Sequence, residues 1–377
     1  MRISLKKLVN PYVIFAFSWA LCLFLYSYRW SDMLPELDDD LVYFIIGFSV
    51  IFGLAGFVFN TVKFSTEIIT PEKSNIRAFL IVDTIVWFLN FAFSGIPLLQ
   101  GVRSEDFGIP TVIVLAVSLN SFTSVYCFYL YQISKKKKYI LYVFYCMFLF
   151  LLAYSRGYVL MSMLTMFFVW IYLKNPKLTV LNLVFIIVAF LSVSFMFGVV
   201  GNIRTTASIV SVSEDSEPND EYTNDNILLL GDATEEFVQN PVPSEFFWTY
   251  LYITSPIGNL QYNITRKTPD FIENAPLLIV NEVLFDSISN RINTMTASVR
   301  KKPELITPAL TVCTTLVGPY LYAGWGGMIF MIFVLFMFPL IYTLIVIRNP
   351  LAIIGLSTLS MIYFFLIFDN MFTITAL

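Results

Sequence analysis

The sequence predicts an all-α polytopic membrane protein, with about nine to eleven transmembrane helices and one large outer, periplasmic loop. Three observations carry this: 58% of the 377 residues are hydrophobic, only 13% are charged, and apolar runs approaching 20 residues recur at a mean hydropathy of +0.76. A soluble domain is about 45–50% apolar and about 25% charged, so this chain has too little polar material to cover a globular surface. A net charge of -3, with no basic tract longer than four residues, argues against a nucleic-acid partner. The absence of histidine excludes His-ligated metals, Ser-His-Asp hydrolysis and histidine acid-base chemistry.

Runs of this length cross a hydrocarbon core about 30 Å thick. They fall at about 11–28, 41–60, 78–98, 111–133, 139–154, 158–172, 178–200, 326–347 and 351–368. The first follows Arg2, Lys6 and Lys7 and ends at Ser27-Tyr28-Arg29 without a small-residue cleavage site, the pattern of an uncleaved anchor. Positive charge in short connections is retained in the cytoplasm. One side holds thirteen cations: Arg2, Lys6, Lys7, Lys63, Lys73, Arg77, Lys135 to Lys138, Lys174, Lys177 and Arg348. The other short connections hold Arg29, Arg103 and Arg156. The amino terminus is therefore expected inside.

Three regions follow: a seven-helix transmembrane bundle over 1–200, the outer loop over 201–325, and carboxy-terminal transmembrane helices over 326–377. The loop has 7 basic and 15 acidic side chains. Its stretch Ser211 to Glu236 is acidic and poor in aromatics, as mobile segments are. Glu245 to Tyr262 is aromatic and reads as an interfacial helix broken at Pro256-Ile257-Gly258. Leu305 to Tyr322 is apolar enough to dip into the membrane, which leaves the span count open at its upper end. Cys22, Cys127, Cys146 and Cys313 sit in apolar stretches at no metal or CxxC spacing, and read as small buried residues.

The segment from Tyr139 to Tyr172 is basic at both flanks and 34 residues long, too long for one crossing, so a helical hairpin is expected with its turn at Ser155-Arg156-Gly157. Arms of 16 and 15 residues would reach about 24 Å and hold Arg156 below the outer surface, where an arginine is costly unless it serves a function. Snorkelling to headgroups is the competing account. Gly157 would let a bulky ligand approach the backbone. Arg204 follows the seventh apolar run in Gly201-Asn202-Ile203-Arg204, and Arg291 lies further on. Guanidinium groups near the membrane plane suit a phosphate-bearing headgroup, since they bind its oxygens in bidentate fashion. Without histidine, a proton acceptor must be a carboxylate or water. Glu282 and Asp286, four apart, would share a face on a helix. Asp38-Asp39-Asp40 reads as a polar flank of the second span. Asp83, inside the third, must pair or line a cavity.

Over nearly its whole length the chain resembles bacterial oligosaccharide repeat-unit polymerases, the Wzy or O-antigen polymerase type. The likeness rests on Asn10-Pro11, Tyr28-Arg29-Trp30-Ser31, Ser155-Arg156-Gly157, Gly201-Asn202-Ile203-Arg204, Thr254-Ser255-Pro256-Ile257-Gly258-Asn259-Leu260 and the stretch from Thr314-Thr315-Leu316 to Gly326-Gly327. The paired Arg-x10-Gly loops of some members are missing: Phe167, Asp215 and Lys302 stand eleven residues after Arg156, Arg204 and Arg291. The resemblance implies glycosyl transfer on the outer face of the bacterial inner membrane. A glycan on polyprenyl diphosphate is the donor, and one lipid-linked repeat unit is the acceptor. Arg156 and Arg204 would stabilise the diphosphate leaving group, Arg291 would assist, Glu282 would serve as base, and Tyr250 and Tyr252 would stack on sugars. The acidic segment would act as a lid. No cofactor is implied; the implied partners are membrane lipids, a flippase and a chain-length regulator. The alternatives are a flippase or transporter of the lipid-linked sugar, and a glycan ligase or single-sugar transferase.

Overall fold

The computed structural model describes residues 4–62, 64, 74–100, 107–210, 225–267, 269 and 271–377. Among these residues a short 3-10 turn, Leu5–Lys7, precedes fifteen helices. They are α1 (Pro11–Tyr26), α2 (Asp39–Phe59), α3 (Ile76–Ser94), α4 (Pro97–Gln100), α5 (Val112–Ser134), α6 (Lys137–Leu152), α7 (Arg156–Lys174) and α8 (Val180–Val210). Then come α9 (Asp225–Leu230), α10 (Glu235–Val238), α11 (Glu245–Arg266), α12 (Phe271–Glu282), α13 (Asp286–Thr296), α14 (Val317–Val346) and α15 (Ala352–Phe365). Among the described residues only isolated bridges represent β-structure, Ser4 with Lys177 and Ser31 with Ala233. Among the described residues, five helical stretches are long and apolar enough to cross a membrane: α2, α3 continued through α4, α5, α7 and α14. The apolar α1 and α15 are shorter, at 16 and 14 residues.

The entrance to α1 is written locally. Asn10 caps the helix by accepting from the Val13 amide at 3.0 Å, and Pro11 occupies a first-turn position where its missing N–H costs nothing. The Asn10 amide also donates to the carbonyls of Lys7 and Gly56. It thereby ties α1 to the end of α2, where Gly56 leaves room for Val13. The largest core joins α1, α2, α7, α14 and α15, with Tyr12, Phe15, Phe52 and Tyr363 fully enclosed. All four cysteines are free thiols, three of them buried.

Two ends of the bundle differ in chemistry. At one, the Leu5 amide donates to Pro176, and Ile133, Tyr139, Leu173, Leu351 and Ile76 pack together. This gathers Lys6, Lys7, Arg77, Lys135 to Lys138, Lys174, Lys177 and Arg348. Arg2, Lys63, Lys73 and Arg103 lie outside the described residues. At the other end, Trp87, Phe107, Ala116, Phe150 and Ala153 pack with Ala376.

Several sequence expectations are revised. The helix from Glu245 is not broken at Pro256: α11 runs 22 residues through it. Proline removes one intrahelical bond, and packing supplies the rest. Residues Thr254 to Leu260 are all buried, and the Cys22 thiol donates to the Ile253 carbonyl at 2.8 Å. This helix packs along α8 and α1 and is no surface element. The apolar stretch 305–322 is irregular up to Leu316, and the following six residues of α14 rise only about 9 Å before a break at Ala323-Gly324. Gly324 takes a φ of 57°, which favours glycine. The boundary expected at 325/326 thus falls inside α14. The expected exit at Gly201 is helical, since α8 continues to Val210. Of the acidic segment expected to be mobile, 211–224 lies outside the described residues, while α9 and α10 order the rest and Ser31 donates to the Gly231 carbonyl at 2.5 Å.

Candidate functional site

The α6–α7 hairpin turns over Ala153, Tyr154 and Ser155, and the residue with left-handed backbone is Tyr154, φ 55°. The sequence had placed the turn two residues later. Arg156 is instead the first residue of α7, exposed, with its guanidinium 5.5 Å from the Tyr154 ring centroid. A cation there opposes the helix dipole, so the position is short of negative charge. Gly157 follows with open space around it.

Glu282 and Asp286 do not share a helix face. Glu282 ends α12, and Asp286 opens α13 after a corner at 283–285. The corner is clamped by Asn281, whose side-chain oxygen accepts from Ser289 at 2.9 Å and Asn293 at 2.7 Å. Arg300 then brings the two carboxylates together, 3.6 Å from Glu282 Oε1 and 3.1 Å from Asp286 Oδ1. The Glu282 side chain is 4% exposed, Asp286 37% and Arg300 40%, so Asp286 and the guanidinium form the reachable side. Burial pushes the Glu282 carboxyl up to about 7, only partly offset by Arg300 and by Asn370. Burial also raises Asp286 against the pull of Arg300, and raises Asp369 nearby.

The residues 366–377 complete the site. Asn370 donates to the Glu282 carboxylate at 3.0 Å and to its backbone carbonyl at 2.9 Å. The Asp286 amide donates to the Thr373 carbonyl at 2.7 Å, and the Ser287 amide to Thr375 Oγ1 at 3.1 Å. Beyond these, Ile374 and Ala376 pack with Ala153, Tyr158 and Val159 beside the Arg156 turn. One short segment therefore touches both the carboxylate cluster and the hairpin.

Gly318 lies directly against the Glu282 carboxylate, where an added methyl would collide with it. Gly318→Ala should displace the pinned carboxylate from Arg300 and Asn370. An overpacking cost of about 1–3 kcal/mol is expected, read as a lowered thermal midpoint of the purified protein.

The remaining predicted residues are dispersed. Tyr250 is 3% exposed; its ring packs on Trp30 and Phe247, and its hydroxyl accepts from the Trp30 amide at 3.0 Å. Tyr252 is half-buried beside Trp248. Arg291 is exposed on the same helix as Asp286. Arg204 belongs to α8 by its backbone, and its side chain lies outside the described residues. Asp38 caps the start of α2 in backbone terms and accepts from Gln261 at 2.6 Å, joining α2 to α11. Asn259 and Asn263 were not singled out beforehand. Their amides hold the irregular chain at Glu304, Ile306, Leu310 and Val312.

The fold and composition define a helical membrane protein, in which the buried Glu282 carboxylate is held by Arg300 and Asn370. The chain matches no family model, no curated protein and no solved structure.

Proposed function

We propose that this protein is a membrane glycosyltransferase that polymerises polyprenyl-diphosphate-linked oligosaccharide repeat units on the outer face of the bacterial inner membrane. The amino terminus is in the cytoplasm and the chain spans the membrane nine to eleven times. The observation that carries this reading is the 369–377 segment, which touches both the Arg156 turn and the Glu282–Asp286–Arg300 cluster. A donor whose leaving group is a diphosphate needs cationic stabilisation, and an attacking hydroxyl needs a proton acceptor. This end of the molecule offers both.

In the reaction, the acceptor hydroxyl oxygen bonds to the donor anomeric carbon as that carbon's bond to the diphosphate oxygen breaks. Polyprenyl diphosphate leaves with the bonding electron pair, its charge met by Arg156, with Arg204 and Arg291 as further cations. The hydroxyl proton passes to the Glu282–Asp286 pair. These carboxylates share Arg300. Tyr250 holds its neighbourhood in shape, and the half-buried Tyr252 is the tyrosine left to stack on a sugar. The test is deletion of the gene followed by gel analysis of surface polysaccharide. Loss of the ladder with retention of one capped repeat is expected. Lipid-linked repeat crossing liposome membranes without chain growth would instead favour a transporter.

A further inference from the structure

Asp83 is fully buried near the middle of α3, and among the described residues neither of its carboxylate oxygens has a hydrogen-bond partner. Its surroundings follow from the register of the helices packed on α3. Toward one end of α3, Phe79 meets Phe122 and Tyr126 of α5, with ring centroids 5.5 and 6.4 Å apart. Toward the other, Trp87 packs with Ala116 and Val117. The level between them on α5 belongs to Asn120 and Thr123.

Asn120, Thr123 and Cys127 recur at helical spacing on one face of α5 and are all 0% exposed. The opposite face, carrying Ser118, Ser121 and Val125, lines a cavity of about 290 Å³ shared with α7, α14 and α15. The polar trio therefore points away from that cavity. Asn120 donates to the Cys146 carbonyl of α6 at 3.0 Å, which leaves its Oδ1 as a free acceptor; that oxygen and Thr123 Oγ1 have no partner. The thiols of Cys127 and Cys146 lie within electrostatic reach of Asp83. Trp87, one turn on, neighbours the carboxylate, but its indole N–H makes no hydrogen bond of ordinary geometry.

Four oxygens are buried here without a hydrogen-bond partner among the described residues, two from Asp83 and one each from Asn120 and Thr123. The donors at hand are the Thr123 hydroxyl, the Trp87 N–H and the weak S–H groups of Cys127 and Cys146. The titratable groups near the carboxylate are Cys127 on α5 and Cys146 on α6, while the Tyr145 hydroxyl of α6 is paired with Thr84 at 2.7 Å. None of these brings a positive charge. An ionised carboxylate within a membrane-crossing helix requires one.

We propose that Asp83, Asn120 and Thr123 form an oxygen-lined site for one monovalent cation, a sodium ion or a proton, at mid-depth between α3, α5 and α6. Hard oxygen donors of mixed charge suit either guest, and a single carboxylate matches a single positive charge.

The test is the thermal midpoint of the purified full chain in detergent, which needs no glycan substrate and is independent of the proposed transferase activity. One arm exchanges sodium for potassium or choline at constant ionic strength. The other runs a pH series in sodium-free buffer, read as the difference between wild type and Asp83→Asn because the Glu282 cluster also titrates. A sodium-specific rise of about 3 °C or more that vanishes in Asp83→Asn identifies a sodium site. A pH-dependent difference without sodium dependence identifies the proton. Thr123→Val, which keeps the shape of the helix surface, should weaken the same dependence if Asp83→Asn does not fold. Absence of both dependences, or their persistence in the variants, overturns the proposal.

Discussion

Glu282→Gln is expected to slow glycan elongation by about 10²–10⁴-fold, the usual contribution of a positioned proton acceptor. Glutamine preserves the shape against Gly318 and can still accept from Asn370, so the protein should remain in the membrane at normal levels. Asp286→Asn should produce a comparable loss, because the reachable carboxylate of the pair is neutralised. In the wild type, the elongation rate should rise with pH through about 7, where the Glu282 carboxyl loses its proton. Stability should move the other way. The folded-state carboxyl is raised above its unfolded value, so the folded chain binds more protons between the two. The associated stabilisation is full at low pH and is lost as pH rises through about 7. Glu282→Gln should flatten both profiles in this window. An unchanged rate profile in the variant would exclude the cluster from proton transfer.

Arg156→Ala is expected to reduce elongation by about 10²–10³-fold, the scale of removing one charge-stabilising donor. Arg156→Lys should recover little, since an ammonium cannot reproduce the bidentate fork of a guanidinium on a diphosphate. Neither change should affect folding strongly. Arg156 is exposed, and its recorded neighbour is the Tyr154 ring. The readout is the polysaccharide ladder together with the amount of protein in the membrane. Normal ladders from both variants would remove this residue from the site, leaving Arg204 and Arg291 as the cations to test.

Local chemistry was the readable part of this chain. The lysine flanks announced a hairpin between them, and most apolar runs lie within a few residues of a helix, although α8 runs ten residues past its expected end and α14 begins nine residues before its expected start. Glu282 and Asp286 could be singled out as carboxylates in the outer loop, but their meeting at Arg300 could not. It depends on a corner clamped by Asn281 and on Asn370, 88 residues away from Glu282. Such a contact leaves no periodic trace in a single sequence. Pro256 was misleading for a related reason. Proline signals a break only where nothing else holds the helix together, and here the residues around Pro256 are buried against other helices. Asp83 was legible as anomalous, whereas Asn120 and Thr123 gained significance only once α5 was set beside α3.

The first helix is finished by the last. Tyr12 donates to the Phe336 carbonyl, 324 positions away, and Ser360 donates to the Val9 carbonyl, 351 positions away. During synthesis, α1 and α2 can pair at once through Asn10. The remaining aromatic flank of α1 must then wait in lipid until almost the whole polypeptide has left the ribosome. Biogenesis is therefore late-closing. A ribosome stalled before α14 would leave an early hairpin with an unsatisfied seam, a natural target for membrane quality-control proteases.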